Sequence, residues 1–208
     1  MLTFDLACPP DATHLCLVLH GLGDSRQGWK PVAGMLAIPR LGWCFAQAPK
    51  AYYDGWSWFD LSPDFVPSGA DVRESRAQVR QLIDHLLATT GLPAERLFLM
   101  GFSQGCLMTL DVGLRDDRQF AGLIGISGWL AQAQDFPGGF GTAARTQAIF
   151  WSHGTADSLI PIEAPRRNKD YLQELGCQIN WRVYDKEHSL DPVQELGDVR
   201  AFLRQRMG

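Results

Sequence analysis

The sequence predicts an α/β fold in which a mostly parallel central sheet carries helices on both faces. Strand-like and helix-like segments alternate along the 208 residues, which is the order typical of this class. The predicted strands are mostly continuous apolar runs, as expected of parallel strands that are buried on both sides. One apolar run ends in Gly-x-Ser-x-Gly at 101–105 and is followed by a helix-forming segment. We expect a single domain over residues 1–208, without a large lid domain.

The first half of the chain shows the strand and helix patterns in turn. Its first strand alternates apolar and polar residues, as expected of an edge strand with one wet face, and the next two are continuous apolar runs. The first helix has Asp24 or Ser25 as its expected N-cap, and Gly91 ends the second. The expected elements are strands at 2–6, 14–20 and 42–48 and helices at 29–36 and 70–89.

The second half repeats the alternation with shorter connections and one long loop at 130–146. Gly176 is expected to end the next-to-last helix, and Asp191 or Pro192 to open the last one. Both long loops, 50–69 and 130–146, are interpreted as insertions in one domain. The expected elements are strands at 97–100, 122–126, 148–151 and 179–184 and helices at 104–114, 164–175 and 192–203.

Composition excludes several classes of protein. The formal net charge is −4, so we expect neither a basic surface nor a nucleic-acid partner. No apolar run is long enough to cross a bilayer, and the first residues do not resemble a secretory signal. The five cysteines include no Cys-x-x-Cys pair, which favours a reducing compartment and predicts a cytoplasmic location.

The Gly-x-Ser-x-Gly segment places Ser103 between a predicted strand and a predicted helix. Such a turn exposes a serine hydroxyl at the top of a parallel sheet in a strained backbone. Gly101 and Gly105 fit because side chains there would collide where strand and helix pack closely. The amide of Gln104 begins the helix, so it is free to face a developing negative charge. These features make Ser103 a candidate nucleophile.

A serine nucleophile needs a histidine base and a carboxylate that orients it. The candidate base is His188, which follows the last strand; His20 and His153 precede glycines at strand ends and are interpreted as loop braces. Asp157 is the favoured acid over Asp185 and Asp191. Ser103, Asp157 and His188 each follow a predicted strand, so all are expected at the carboxyl edge of the sheet, in the chain order of a hydrolase triad.

The long loop at 50–69 is rich in aromatic residues. Trp58 and Phe59 either plug this loop onto the domain or form an apolar wall for an acyl chain beside the serine, and we favour the second interpretation. The loop's three aspartates, Asp54, Asp60 and Asp64, match no metal-ligand spacing. No metal and no cofactor are therefore expected.

With these motifs in place, the chain resembles the phospholipase/carboxylesterase family of α/β-hydrolases, which includes acyl-protein thioesterases and small bacterial carboxylesterases. The segments that carry the resemblance are His-Gly-Leu-Gly-Asp at 20–24, Trp-Phe-Asp at 58–60, Gly-Phe-Ser-Gln-Gly at 101–105, His-Gly-Thr-Ala-Asp at 153–157 and His-Ser at 188–189.

The resemblance implies the α/β-hydrolase fold and hydrolysis of carboxylic esters or thioesters of short to medium acyl chains. It implies Ser103 as nucleophile, Asp157 as acid, His188 as base and the backbone N–H groups of Leu22 and Gln104 as oxyanion donors. Leu22, Trp129 and Leu159 fall where the family lines its acyl pocket. Substrates of this kind include small esters and thioesters, acylated proteins and lysophospholipids.

Two positions depart from the family's pattern. Cys106 and Glu187 stand where the family often has glycine, and Glu187 directly precedes the candidate base. The alternative to a serine hydrolase is a catalytically silent hydrolase-fold protein that binds an apolar ligand, which the aromatic loop and Glu187 would fit. Exposed aromatic residues near the site also fit a homodimer contact.

Overall fold

The computed structural model describes residues 1–131 and 139–208. Residues 132–138, in the predicted loop at 130–146, lie outside the described residues. The strands are β1 (Phe4–Ala7), β2 (His14–Leu19), β3 (Leu41–Ala46), β4 (Lys50–Tyr52), β5 (Gly55–Ser57), β6 (Leu97–Phe102), β7 (Gly122–Ile126), β8 (Ile149–Gly154) and β9 (Ile179–Tyr184). The helices are α1 (Lys30–Leu36), α2 (Gly69–Thr90), α3 (Gln104–Arg115), α4 (Glu163–Glu174) and α5 (Gln194–Met207).

The central sheet has seven strands in the order β1-β3-β2-β6-β7-β8-β9. All neighbouring pairs are parallel except β1 with β3, so the prediction of a mostly parallel sheet is confirmed. Every residue of β2, β3, β7 and β8 is buried, which explains their continuous apolar sequences.

Helices cover both faces of the sheet. Alternate residues of the strands point to opposite sides, and each side has its own apolar cluster. In β6, Leu97 and Leu99 pack on the side of α2, α3 and α4, whereas Phe98 and Met100 pack on the side of α1 and α5. The described residues contain no large extra domain. That residues 1–208 form a single domain stays a prediction.

The structure differs from the sequence-based predictions at two local points. The loop expected at 50–69 contains a two-stranded antiparallel hairpin, β4–β5. The expected side-chain cap of α1 is wrong: its N-cap is Trp29, which makes no capping bond with its side chain. Asp24 instead accepts a hydrogen bond from the amide of Ser25 at 2.6 Å, because a turn separates both residues from the helix.

Among the described residues, no helix combines the length and the apolarity that crossing a bilayer requires.

Candidate active site

Ser103 sits in a strained turn between β6 and α3. Its backbone angles are φ 54° and ψ −117°, a region that residues with a side chain rarely adopt. A Cβ at Gly105 would lie 1.9 Å from the carbonyl oxygen of Leu19, and one at Gly101 would lie 2.1 Å from that of Gly105. Both contacts are with rigid backbone, so the turn closes this tightly only because positions 101 and 105 lack side chains.

The structure brings the Ser103 hydroxyl, the His188 imidazole and the Asp157 carboxylate together at the carboxyl edge of the sheet. The distance from Ser103 Oγ to His188 Nε2 is 3.0 Å, and that from His188 Nδ1 to Asp157 Oδ2 is 2.7 Å. Because Nδ1 faces a carboxylate, it carries the proton and donates it, which leaves Nε2 of the neutral ring to accept from the serine. The geometry is that of a nucleophile, a base and an orienting acid.

Asp157 is held by its own turn and by a second imidazole. Its Oδ1 accepts hydrogen bonds from the amides of Leu159 and Ile160, at 3.1 and 2.8 Å. His153 Nε2 donates to the Ile160 carbonyl at 2.8 Å and lies 3.4 Å from Asp157 Oδ2, while its ring stacks on Trp181. Burial lowers the pKa of His153, which keeps this ring neutral. His153 therefore supports the turn that carries Asp157, as expected from its position before a glycine at a strand end.

The glycine-containing loop at 20–24 approaches Ser103 from β2 and is supported by the hairpin β4–β5. The Gly23 amide donates to the Trp56 carbonyl at 2.9 Å, and the Trp56 amide donates to the Asp24 carbonyl at 3.0 Å. A Cβ at Gly55 would lie 1.9 Å from the Gly23 carbonyl oxygen, so hairpin and loop touch backbone to backbone. The hairpin thus fixes the loop that carries one candidate oxyanion donor, Leu22.

His20 anchors the start of the same loop. Its Nδ1 donates to the Gly21 carbonyl at 2.7 Å, and its Nε2 accepts from the Ala48 amide at 3.2 Å and from the Gln47 side chain at 3.1 Å. The indole N–H of Trp58 donates to the His20 carbonyl at 2.8 Å. Burial lowers the pKa of His20, and the neutral ring is the form that these bonds require.

Gln104 contributes more than its backbone to the site. As the first residue of α3, its N–H has no partner within the helix and lies beside Ser103. Its side-chain oxygen accepts from the Trp58 amide at 3.0 Å and from Ser57 Oγ at 3.2 Å, and its side-chain nitrogen donates to the Phe59 carbonyl at 2.9 Å. These three bonds fasten the helix that follows the nucleophile to the aromatic segment.

Two neighbouring cavities lie at the site. The first, of about 180 Å³, contains the hydroxyl of Ser103 and the ring of His188 in its wall, and the second, of about 500 Å³, extends beneath the segment 59–65. Neither is lined by Lys or Arg in the part of the chain that the structure describes. The residues that line both cavities are Leu22, Leu61, Phe65, Gln104 and Leu159.

The residues predicted to bind substrate fall into three groups. Leu22 and Leu159 line both cavities, and Trp129 lines the first. Phe59 borders only the second and is otherwise enclosed. Trp58 lines neither cavity: its side chain is 0% exposed and donates to the His20 carbonyl. The interpretation of Trp58 as an acyl-chain wall is therefore corrected; its indole N–H needs a buried acceptor, and the ring faces inward to reach one.

Sequence reasoning missed part of the cavity wall. Leu61, Phe65, Phe102 and Ile160 line the first cavity beside the predicted residues. Each directly neighbours or closely follows a motif residue, and Phe65 belongs to the aromatic loop that had been singled out. The sequence does not show in which direction these side chains point, because residues in irregular loops have no repeating period that would indicate it.

The two departures from the family pattern do not touch the reacting atoms. Cys106 is fully buried, and burial raises the pKa of its thiol, which keeps it protonated and unreactive. Glu187 is exposed, and its carbonyl accepts the Ser189 amide at 2.8 Å in the turn that presents His188.

Comparison with known proteins places the chain in a family. The model of the phospholipase/carboxylesterase family matches residues 6–207. The chain belongs to the phospholipase/carboxylesterase family. It is 33% identical over 178 residues to acyl-protein thioesterase 1 of Schizosaccharomyces pombe, covering 78% of each chain. It is 30% identical to a probable carboxylesterase of Oryza sativa subsp. japonica, over 92% of this chain and 77% of the relative.

Solved structures that are similar to this chain show the same fold. The crystal structure of Arabidopsis thaliana SOBER1 superposes with a TM-score of 0.84 at 28% identity, covering 94% of this chain and 99% of that one. The crystal structure of esterase PE8 gives a TM-score of 0.89 at 22% identity, over 98% of both chains. The prediction of an α/β-hydrolase fold is confirmed, and the chain is a hydrolase of the carboxylesterase and thioesterase type.

Proposed function

We propose that the protein hydrolyses carboxylic esters or thioesters of short to medium acyl chains through a Ser-His-Asp triad and an acyl-enzyme intermediate. The observation that carries the proposal is the continuous pair of hydrogen bonds, 3.0 and 2.7 Å, that joins Ser103, His188 and Asp157. Ser103 and His188 line a mostly apolar cavity. A hydroxyl in contact with a neutral imidazole can attack a carbonyl while it transfers its proton to the ring.

In the acylation step, Ser103 Oγ attacks the acyl carbonyl carbon and its proton passes to His188 Nε2. Asp157 keeps the ring oriented and stabilises the imidazolium that forms. The carbonyl oxygen becomes an oxyanion, and the backbone N–H groups of Leu22 and Gln104 are the proposed donors to it. The intermediate then expels the alcohol or thiol, which takes the proton from His188, and leaves the acyl group as an ester on Ser103.

In the deacylation step, water takes the place of the leaving group. His188 accepts a proton from this water as it attacks the acyl carbonyl, and the same oxyanion donors stabilise the second tetrahedral intermediate. Collapse of the intermediate returns the proton to Ser103 Oγ and releases the carboxylic acid. Neither step needs a metal or a redox cofactor.

The two cavities offer an apolar site for an acyl chain. The cavity at Ser103 is mostly apolar, with Leu61, Phe65 and Leu159 in its wall, and suits the first carbons of an acyl chain. The second cavity adds polar groups, among them Ser62 and Asp60. Its lining is nevertheless mostly apolar, with Phe59 and Pro63 among its residues, so an acyl chain of medium length can continue into it from the first cavity.

Two measurements test the proposal. A fluorophosphonate probe should label Ser103 in the native protein and should not label Ser103→Ala. A series of p-nitrophenyl esters and acyl-coenzyme A thioesters should show turnover that is highest for short to medium chains and falls for palmitoyl. A native protein that resists the probe and cleaves neither acetate nor butyrate would instead be the catalytically silent apolar-ligand binder.

Acylated proteins and lysophospholipids remain proposed substrates, because the same ester or thioester chemistry applies to both. A single domain over 1–208, a homodimer and a cytoplasmic location also stay predictions.

A further inference from the structure

A buried lysine lies under the turn that presents His188. The Lys186 ammonium is almost fully enclosed and lies 2.7 Å from both carboxylate oxygens of Glu195, which is 0% exposed. It also donates to Ser127 Oγ at 2.9 Å and to the Ser189 carbonyl at 2.7 Å. An ammonium group has three protons to donate, and these partners use its full capacity.

Lys186 and Glu195 hold the backbone of this turn on both sides of His188. The Lys186 ammonium binds the Ser189 carbonyl, one residue after the histidine, and the Lys186 carbonyl accepts the Ala156 amide at 3.1 Å. Glu195 Oε2 accepts the Asp191 amide at 3.1 Å, three residues after the histidine. The backbone immediately before and after His188 is thus tied to one buried charge pair.

The same lysine connects this turn to the strand that anchors the nucleophile. Ser127, which binds the ammonium, follows directly after Ile126, and the Ile126 carbonyl accepts the Ser103 amide at 2.9 Å. Ser127 has a φ of 50° and is fully buried, so its position is fixed by its surroundings. Through this path, Lys186 joins the backbone that carries the proposed base to the backbone that holds the proposed nucleophile.

We propose that the Lys186–Glu195 pair, through Ser127, is a positioning device that sets the distance between His188 Nε2 and Ser103 Oγ. The proposal rests on the proposed function, because it assigns a role only if these two atoms exchange a proton. Transfer requires hydrogen-bond distance, and a displacement of about 1 Å can cost on the order of 10²-fold in rate. Neither Lys186 nor Glu195 touches the substrate cavity, so both are positioning residues.

A purely structural role makes a different prediction. Removing one member of a buried ion pair leaves the other charge unpaired, which destabilises the fold whatever the role of the pair. Replacing both members with apolar residues of similar size often restores stability. The double variant Lys186→Met/Glu195→Met therefore separates the two roles, since it removes the bonds to the turn without leaving a buried charge.

The experiment compares the native protein, Lys186→Met, Lys186→Met/Glu195→Met and the control Tyr184→Phe. The control removes the 2.7 Å bond from Tyr184 to Asp198, just before the same turn, and is expected to keep native kcat. Each protein is tested for its melting temperature and for kcat and KM on p-nitrophenyl butyrate.

The expected result is that the double variant melts at or above Lys186→Met while its kcat is at least tenfold below native, with KM within twofold. A kcat within threefold of native in the folded double variant overturns the proposal. If the double variant does not fold, Ser127→Ala replaces it: a kcat lowered more than threefold at unchanged KM supports the proposal, and a smaller loss overturns it. Inactive native protein, by contrast, is a failure of the proposed function itself.

Discussion

The side chain of Gln104 accepts a hydrogen bond from the backbone amide of Trp58 at 3.0 Å, in the buried contact between the nucleophile helix and the aromatic segment. The residue that follows the serine is therefore held by the loop that lines the proposed acyl cavity. Movement of that loop would be transmitted to the N–H beside the reacting hydroxyl. This contact gives the side chain of Gln104 a function separate from that of its backbone.

The first prediction concerns this contact. Gln104→Ala removes three buried hydrogen bonds but keeps the backbone N–H, and we expect kcat/KM to fall about tenfold and the unfolding free energy to fall by about 2–3 kcal/mol. The matched control is Gln194→Ala, which changes the exposed first residue of α5 and should alter neither quantity. Steady-state kinetics and urea unfolding check both variants. Native kinetics in Gln104→Ala would show that the backbone N–H needs no such support.

A second prediction uses the strain at Ser103. Ser103→Ala and Ser103→Gly both lose the hydroxyl and should lose at least 10³-fold in kcat. Glycine adopts the φ of 54° without steric cost, so Ser103→Gly should be more stable than Ser103→Ala by about 1 kcal/mol, after its larger loss of chain entropy is counted. Calorimetric melting of the two inactive variants gives the difference. If the turn stored no strain, Ser103→Ala would instead be the more stable variant, because glycine loses more chain entropy on folding.

The third prediction is a pair of glycine substitutions. Gly105→Ala would place a Cβ 1.9 Å from the Leu19 carbonyl oxygen, so α3 must move away from β2, and we expect insoluble or inactive protein. Gly197→Ala, in α5, meets no atom within 4 Å and should stabilise the protein by about 0.5–1 kcal/mol through helix propensity. Soluble yield and melting temperature test the pair. An active, soluble Gly105→Ala protein would contradict the close packing of helix on strand.

The fourth prediction is a pH dependence of stability. Burial lowers the folded pKa of His14, His20 and His153 below the ordinary 6.5, so the unfolded chain binds protons that the folded chain excludes. Stability should therefore be constant above the ordinary value and fall as the pH drops below it, by at most about 1.4 kcal/mol per pH unit for each histidine. Denaturant unfolding at several pH values between 5 and 8 measures the slope.

His153→Gln should flatten this slope, because it removes one of three buried imidazoles whose pKa is lowered by burial, the others being His14 and His20. Gln194→Ala is the control: it changes an exposed residue of α5 that does not titrate, so it should keep the native stability and the native slope. A native slope in His153→Gln would show that this residue does not contribute to the acid sensitivity.

Much of the fold could be predicted because its signals are local. Apolar runs located the buried strands, and the glycines at 101 and 105 indicated the tight turn at Ser103 from sterics alone. The convergence of Ser103, Asp157 and His188 at one edge follows from parallel topology, since the carboxyl ends of parallel strands lie on the same side of a sheet. These inferences need no knowledge of side-chain direction.

The remaining features depend on contacts between distant segments. Whether Trp58 faces the cavity or the core is decided by an acceptor, the His20 carbonyl, that lies 38 residues away. The pairing of Lys186 with Glu195 requires knowing how α5 packs behind the turn at His188. No periodicity in either segment encodes these partners, and for that reason the inward Trp58 was misinterpreted and the buried pair was not foreseen.

The ion pairs of Lys50 with Asp60 and Asp71 have a consequence for changing the substrate selectivity of the protein. Its ammonium binds Asp60 at 2.5 Å and Asp71 at 2.7 Å, and the Ser68 amide donates to the Asp60 carbonyl at 2.9 Å, so both ends of the segment 61–67 are fastened to the body of the protein. Between these two ends, Phe65 and Val66 are exposed, and Phe65 lines both cavities. Residues 61–67 can therefore be exchanged to change the selectivity for the acyl group. The proposed catalytic residues stay unchanged in such a variant.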